Sequence, residues 1–460
     1  MSDLELRFGD CLSELKLLEN DSVDLVCTDP PYGYSFMGKD WDKAVPSVEI
    51  WKECLRVLKP GCFAFVMSAP RSDVQCEMIL KLKEAGFEVG FSPIYWAYAS
   101  GFPKACNISK MIDKRLGVKQ EIKGFQEWNN PMNKPATSHY DKVNARDENP
   151  LPIYGATSVE AKELDGLFGG FQPKPAVEVV LVVMKPIEEK TYVEQALKNG
   201  HGGTWLGRCR IPYANETDIW KAQNAVIDNS IGGGKMGLMT AHSLHKGTEA
   251  ERYDSQGNND GRFPANLLVS DNVLDNGTTT ESKSYVISNE GTIWGSGNKD
   301  LRKAGFDDVG GFSRYFSLDA WWDKAIKELP EKQRKTFPFL ITPKASKSEK
   351  NKGLEQFETK QVNDGRNILP DNAFQRGKTE RLNIHPTVKP LKLMQYLVTL
   401  GCNKGEIVLD PFVGSGTTCI ASKLQGRRSI GVEMNKDYFE IAKARCKIFE
   451  EQLTIVEDCL

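Results

Sequence analysis

Residues 406–433 restrict the fold more than any other stretch of this chain. An apolar strand, predicted from Glu406 to Leu409, ends in Asp410. Pro411-Phe412-Val413-Gly414-Ser415-Gly416 then makes a tight turn, and Thr417 to Leu424 reads as a helix. Arg428 to Val432 is a second apolar strand, ending in Glu433, with another helix predicted from Tyr438 to Glu450. Strand, turn, helix and strand of these lengths make a βαβ crossover, which demands a parallel sheet with helices on its faces. Glycines at 414 and 416 let the backbone take positive φ and approach a ligand closely. In such sheets ligands bind at the carboxyl ends of the strands, and an acid at the tip of the second strand is placed to meet ribose hydroxyls. The third glycine of a dinucleotide fingerprint is missing, because Cys419 stands in its place. A nucleoside ligand lacking a pyrophosphate therefore fits better than a nicotinamide dinucleotide, with a plain strand–helix turn as the bland alternative.

The amino-terminal part repeats the alternation. Leu4–Phe8 and Val23–Thr28 read as strands, and Ser47 to Val57 as a helix with Ser47 as N-cap, ended by Lys59-Pro60-Gly61. Cys62–Met67 is a buried strand, Ser72–Ala85 a helix closed by Gly86, and Phe87–Tyr98 is strand-rich. Val177 to Val183 is apolar apart from Glu178 and joins the same sheet. The expected class is α/β, a doubly wound and mostly parallel sheet.

Directly after the strand Val23–Thr28 stands Asp29-Pro30-Pro31-Tyr32. Proline fixes its own φ and biases the residue before it toward extended geometry, so the carbonyls here have no helix to bond into. A carboxylate and a fixed carbonyl can accept two hydrogen bonds from one planar amino group, and Tyr32 offers a ring for stacking. That set suits the exocyclic amine of a nucleobase. Taken alone, the segment is also compatible with ordinary turn punctuation.

Together these segments resemble the amino-methylating DNA methyltransferases that use S-adenosylmethionine. Asp29-Pro30-Pro31-Tyr32 is similar to that family's catalytic motif, and Asp410-Pro411-Phe412-x-Gly414-x-Gly416 to its cofactor loop. His385-Pro386-Thr387-Val388-Lys389-Pro390-Leu391, leading into a helix from Leu391 to Leu400, is similar to the motif at the cofactor's methionine end. Gly9-Asp10-Cys11-Leu12 matches the place of a further acid. The catalytic motif precedes the cofactor loop, which is the permuted β-type order. The resemblance implies a Rossmann-like methyltransferase fold with an inserted target-recognition region. It implies S-adenosylmethionine as cofactor, held by Asp10, Lys389, Asp410, Pro411, Phe412, Gly414, Gly416, Thr417 and Glu433. The implied substrate is double-stranded DNA, methylated at adenine N6 after base flipping. An Asp opening the tetrad goes more often with adenine in this family. Cytosine N4, RNA and a protein amide are the alternatives, and a homodimer and an accompanying restriction enzyme stay open as partners.

By this division residues 1–195 form the catalytic part, with a polar insert near 119–170. Residues 196–350 form the target-recognition region, and residues 351–460 the cofactor-binding part. The stretch from Gly200 to Lys350 is rich in Gly, Asn, Asp, Ser and Thr, with short strand candidates at Leu267–Val269 and Phe337–Thr342. Arg262 and Arg314 stand out as base readers and Lys347, Lys350 and Lys352 as phosphate contacts, whereas Trp321-Trp322 reads better as core. The whole chain of 460 residues carries a net charge of −2, so a basic DNA footprint must be local. With no run of eighteen apolar residues and no basic, apolar start, the expectation is a cytoplasmic protein with no membrane contact. Eleven scattered cysteines fit reduced thiols. No metal site is expected: His242 and His245 lack a nearby cysteine.

Overall fold

The computed structural model describes residues 4–33, 44–97, 106–126, 151–170, 177–212, 261–269, 316–327, 345, 347–362 and 379–457, with four short strands between 280 and 310. The chain divides into two compact units, Met1–Ser100 with Ala176–Leu460, and Gly101–Pro175.

The larger unit is built on one sheet. Its strands are β1 (Leu4–Phe8), β2 (Val23–Thr28), β3 (Leu58–Ser68), β4 (Ile94–Ala97), β5 (Val177–Met184), β6 (Leu267–Val269), β7 (Ile407–Asp410) and β8 (Arg428–Glu433). Its principal helices are α1 (Cys11–Leu15), α2 (Val48–Val57), α3 (Ser72–Ala85), α4 (Tyr192–Asn199), α5 (Leu318–Lys327), α6 (Lys347–Asn351), α7 (Leu391–Gly401), α8 (Thr417–Leu424) and α9 (Lys436–Glu457). The strand order is β1-β8-β7-β2-β3-β5-β4-β6. Every pairing is parallel except those of β5, which runs against both β3 and β4. This is the doubly wound, mostly parallel α/β sheet expected from the sequence.

From β7 the chain winds outward through α8 to β8, and from β2 it winds the opposite way to β3. β7 and β2 are neighbours, so their carboxyl ends flank the topological switch point, where open α/β sheets bind ligands. Alternation along β2 and β3 feeds two cores. Leu25, Cys27, Phe65 and Met67 pack toward α7 through Leu393, Met394 and Leu397. Val26, Ala64 and Val66 pack with Trp51 of α2 and with Met78 and Leu82 of α3. Trp321 and Trp322 are buried in the first core, with Trp321 edge-on to Tyr396 at 5.1 Å.

Lys59-Pro60-Gly61 does not separate helix from strand, as the sequence reading expected. α2 ends at Val57 and β3 begins at Leu58, so the triplet lies inside the strand. It forms a bulge there: Val23 pairs with Leu58, but Leu25 pairs with Phe63. Gly61 takes φ 78° and bonds Lys185 and Gly202 through its backbone. Lys59 Nζ reaches the buried Asp24 carboxylate at 2.5 Å, where His201 Nε2 also lies 3.1 Å away. Burial pushes the Asp24 carboxyl up, but the bonds from His201, Lys59 and the Ile407 N–H outweigh it and hold it below its ordinary value.

The smaller unit pairs Ile122–Gln126 with Leu151–Tyr154, and Cys106–Asn107 with Phe168–Gly169. Helices Ile108–Arg115 and Val159–Glu163 complete it. The buried Asp113 ties it together, accepting from the Thr157 and Ser158 N–H groups and the Ser158 hydroxyl at 3.0, 3.0 and 2.7 Å. This unit contains the polar stretch 119–170 and begins before it. No helix among the described residues is long and apolar enough to cross a membrane.

Candidate active site

Strand β2 is buried throughout, and Asp29 is the first residue past its end. Both oxygens of its carboxylate are engaged. The Tyr32 hydroxyl donates to Oδ1 at 2.5 Å, and Lys389 Nζ lies 2.8 Å from Oδ2. Lys389 also lies 3.1 Å from Glu178 Oε2 and 5.6 Å from the centre of the Tyr32 ring. Burial raises the Asp29 pKa, the Lys389 charge opposes this, and the Glu178 charge adds to it, leaving a net rise. Burial alone would lower the Lys389 pKa, but two carboxylates beside it hold it above the ordinary lysine value. Asp29, Pro30, Pro31 and Tyr32 thus form a partly buried lip, with Pro30 buried and the other three half-buried.

Asp410, at the end of β7, acts as a buckle. Its Oδ1 accepts from the Thr28 hydroxyl at 2.6 Å and the Phe412 N–H at 3.0 Å, and its Oδ2 from the Thr418 hydroxyl at 2.6 Å. These bonds tie β7 to β2 and to the start of α8. Burial outweighs them and raises the pKa to about 6. Glu433, at the tip of β8, accepts from the Gly414 N–H at 3.0 Å and the Asn435 N–H at 2.7 Å. Burial pushes its pKa up to about 7 against those backbone bonds. Its carboxylate is half-exposed and keeps unused lone pairs.

Gly414 and Gly416 take φ 53° and 85°. Packing gives a reason for glycine here besides the close ligand approach expected above. A Cβ on Gly414 would stand 2.6 Å from His385 Nε2, and one on Gly416 would stand 3.0 Å from Cys446 Sγ. The turn is packed against protein on that side. His385 lies edge-on to Tyr438 at 4.6 Å, and its Nδ1 is buried. Burial, with Arg445 and Lys389 nearby, pushes its pKa down to about 3, so the ring is neutral.

Of the other expected site residues, Asp10 is exposed and caps α1, accepting from the Ser13 N–H at 3.0 Å and hydroxyl at 3.1 Å. Pro411 and Thr417 are buried, and Arg445 Nη1 lies 3.3 Å from the Thr417 hydroxyl. Phe412 is half-buried, with its ring edge-on to Trp51 at 6.3 Å. Lys389, expected beside the cofactor, lies against Asp29 and Glu178. Glu178 is the residue that motif reading passed over; its signal was one charge in an otherwise apolar strand.

The residues expected to contact DNA differ in exposure. Lys347 is exposed, whereas Lys350 and Lys352 are half-buried, and burial lowers the pKa of both. Arg262 is half-buried and its backbone bridges Ile211 at 2.7 and 3.0 Å. Arg314, His242, His245 and Phe337–Thr342 lie outside the described residues.

Comparison with known proteins adds an independent finding. A family model described as DNA methylase matches residues 23–444. The Type II methyltransferase M.HpaI of Haemophilus parainfluenzae is 41% identical over 88 residues, covering 18% of this chain and 28% of that protein. The Type II methyltransferase M2.DpnII of Streptococcus pneumoniae is 35% identical over 94 residues, covering 20% of this chain and 35% of that protein. The chain therefore spans about a third or less of the length of these relatives. Among solved structures, the M1.HpyAVI-SAM complex aligns with 96% of this chain and 99% of its own, at 14% identity and a TM-score of 0.34. The PvuII DNA methyltransferase (cytosine-N4-specific) aligns with 98% of this chain and 92% of its own, at 13% identity and a TM-score of 0.38.

Proposed function

Because the chain belongs to the DNA methylase family, we propose that it transfers a methyl group from S-adenosylmethionine to the exocyclic N6 of adenine in double-stranded DNA. One observation carries the reading. A half-buried, hydrogen-bonded Asp29 stands at the switch point, beside a turn that ends under a half-exposed Glu433.

The residues present fit the cofactor. Asp29, Glu178 and Lys389 together carry one net negative charge, which suits a sulfonium cation. Glu433 retains acceptor capacity for ribose hydroxyls, Phe412 offers a ring flank, and the exposed Asp10 follows β1, whose Phe8 pairs with Glu433. When bound, S-adenosylmethionine supplies a methyl group on an activated leaving group.

The chain's own residues do the rest. An adenine amine is hard to reach inside the stack, so the base rotates out at a cost of a few kcal/mol. Stacking on the Tyr32 ring offsets roughly 1–3 kcal/mol of that. The Tyr32 hydroxyl, bonded to Asp29, holds the ring in place. Asp29 and the Pro30 carbonyl accept the two amine N–H bonds, which draws the nitrogen lone pair out of the ring and aims it at the methyl. This is positioning with electrostatic preorganisation. The methylated nitrogen then sheds one proton, and Asp29, with its raised pKa, is suited to accept it.

The test offers tritium-labelled S-adenosylmethionine with duplex DNA, RNA or unrelated protein, then digests the labelled product to nucleosides. N6-methyldeoxyadenosine is the expected species. N4-methyldeoxycytidine would move the reading to the other amine, and label confined to RNA or protein would overturn it.

A further inference from the structure

Strand β5 reads Val-Glu-Val-Val-Leu-Val-Val-Met, with Glu178 its one charge. Because β5 runs against its neighbours, its second residue sits at the edge where the parallel strands end, opposite Trp96 of β4. The Glu178 side chain is only 17% exposed. A carboxylate so placed is costly unless it is paired. Its Oε2 lies 3.1 Å from Lys389 Nζ. The same ammonium lies closer to Asp29 Oδ2, at 2.8 Å. One ammonium thus sits between two carboxylates and favours one of them.

That asymmetry matters for chemistry at Asp29. Both Asp29 oxygens are engaged, by Tyr32 and by Lys389, and an incoming amine N–H must find room there. The amine also gains positive charge as the methyl arrives, which an adjacent ammonium opposes. We propose that Glu178 is a positioning residue that takes over the Lys389 ammonium when a target amine docks, freeing Asp29 Oδ2 to accept the amine N–H. The inference rests on the amino-methylation reading above and extends it to a residue outside the recognised motifs.

The charged and titratable groups around this cluster are Asp29 and Tyr32 after β2 and Lys389 before α7. Asp410, whose pKa Asp29 helps to raise, and His385, whose pKa Lys389 helps to lower, lie beyond them. The Glu178 charge is one of the causes that raise Asp29. Removing it without changing shape therefore lowers the Asp29 pKa, while leaving Lys389 fixed on Asp29.

The experiment is single-turnover methyl transfer by the full chain across pH, with tritiated S-adenosylmethionine and unmethylated plasmid duplex of mixed sequence. For E178Q we expect the plateau rate to fall about tenfold, the scale of one charge-assisted hydrogen bond. Its acid limb should move to lower pH. E178D, which keeps a carboxylate, should recover part of the rate and retain the wild-type limb. An E178Q enzyme with wild-type plateau and limb would overturn the proposal. So would equal slowing of both variants with an unmoved limb, or loss of fold in both, since Glu178 would then be a packing residue. Wild-type labelling of RNA but not of DNA would overturn the DNA reading alone, and the same variants would then be compared on RNA. Absence of transfer by the wild-type chain to any of these would overturn both.

Discussion

Tyr32 serves the site with both its ring and its hydroxyl. The hydroxyl donates to Asp29 Oδ1 and is one of the groups holding the Asp29 pKa down against burial. Tyr32→Phe keeps the ring but removes that donor, so the Asp29 pKa rises further. The proposed methyl transfer needs Asp29 ionised. The variant should therefore show an acid limb moved to higher pH, with a larger rate loss on that limb than on the plateau. A pH–rate profile of single-turnover transfer checks this, and a limb at the wild-type position would assign the hydroxyl no part in tuning Asp29. The two substitutions beside Asp29 thus have opposite signs: loss of Glu178 moves the limb down and loss of the Tyr32 hydroxyl moves it up. The tetrad itself was legible in the sequence, because an acid, two prolines and an aromatic are contiguous. The partners of Asp29 were not. Lys389 comes from 360 positions away in the chain and Glu178 from a strand whose apolar pattern hides it.

At the level of elements, the cofactor-loop candidate is held by packing as much as by backbone freedom. Gly416→Ala puts a methyl at φ 85°, 3.0 Å from Cys446 Sγ and 3.3 Å from Ala442 on α9. A positive-φ alanine together with such crowding costs about 1–3 kcal/mol. Thermal unfolding should show a lowered Tm, and equilibrium dialysis a matching loss of S-adenosylmethionine affinity. Adding Cys446→Ala should recover only the crowding part, because the φ strain stays. A Gly416→Ala protein with wild-type Tm would contradict this packing. The βαβ unit was legible almost to the residue: the helix Thr417–Leu424 coincides with its sequence assignment, as does Ser72–Ala85. Those boundaries are set by local chemistry, glycine and capping, which the sequence displays directly. The bulge at Lys59-Pro60-Gly61 was not legible, because it exists only through its pairing with Val23–Leu25 and its bonds to Lys185 and Gly202.

For the whole molecule, the proposed DNA substrate requires that a chain of net charge −2 meet a polyanion. Among the three lysines singled out near α6, only Lys347 is exposed; burial disfavours the charged form of Lys350 and Lys352. Neutralising all three should therefore reduce the slope of log K against log salt by roughly 0.9, one phosphate contact, instead of by three times that amount. Filter binding to duplexes at several salt concentrations measures the slope. A loss near three contacts would mean that the half-buried lysines reach phosphate as well. The segment division shows the reach of pattern reading over longer distances. Residues of the polar middle region, Leu267–Val269 and the buried Trp321 and Trp322, belong to the larger unit's sheet and core. A three-residue edge strand carries too little pattern to announce which sheet it joins.

The central claim is that Asp29 acts on the target amine and not on the cofactor. The direct measurement compares wild-type and Asp29→Ala proteins in label transfer from S-adenosylmethionine to duplex DNA, with cofactor affinity determined by equilibrium dialysis on the same samples. The account predicts N6-methyldeoxyadenosine from the wild type, none from the variant, and closely similar cofactor affinity for both. Near-normal turnover by Asp29→Ala, or loss of cofactor binding that accounts for its inactivity, would contradict it.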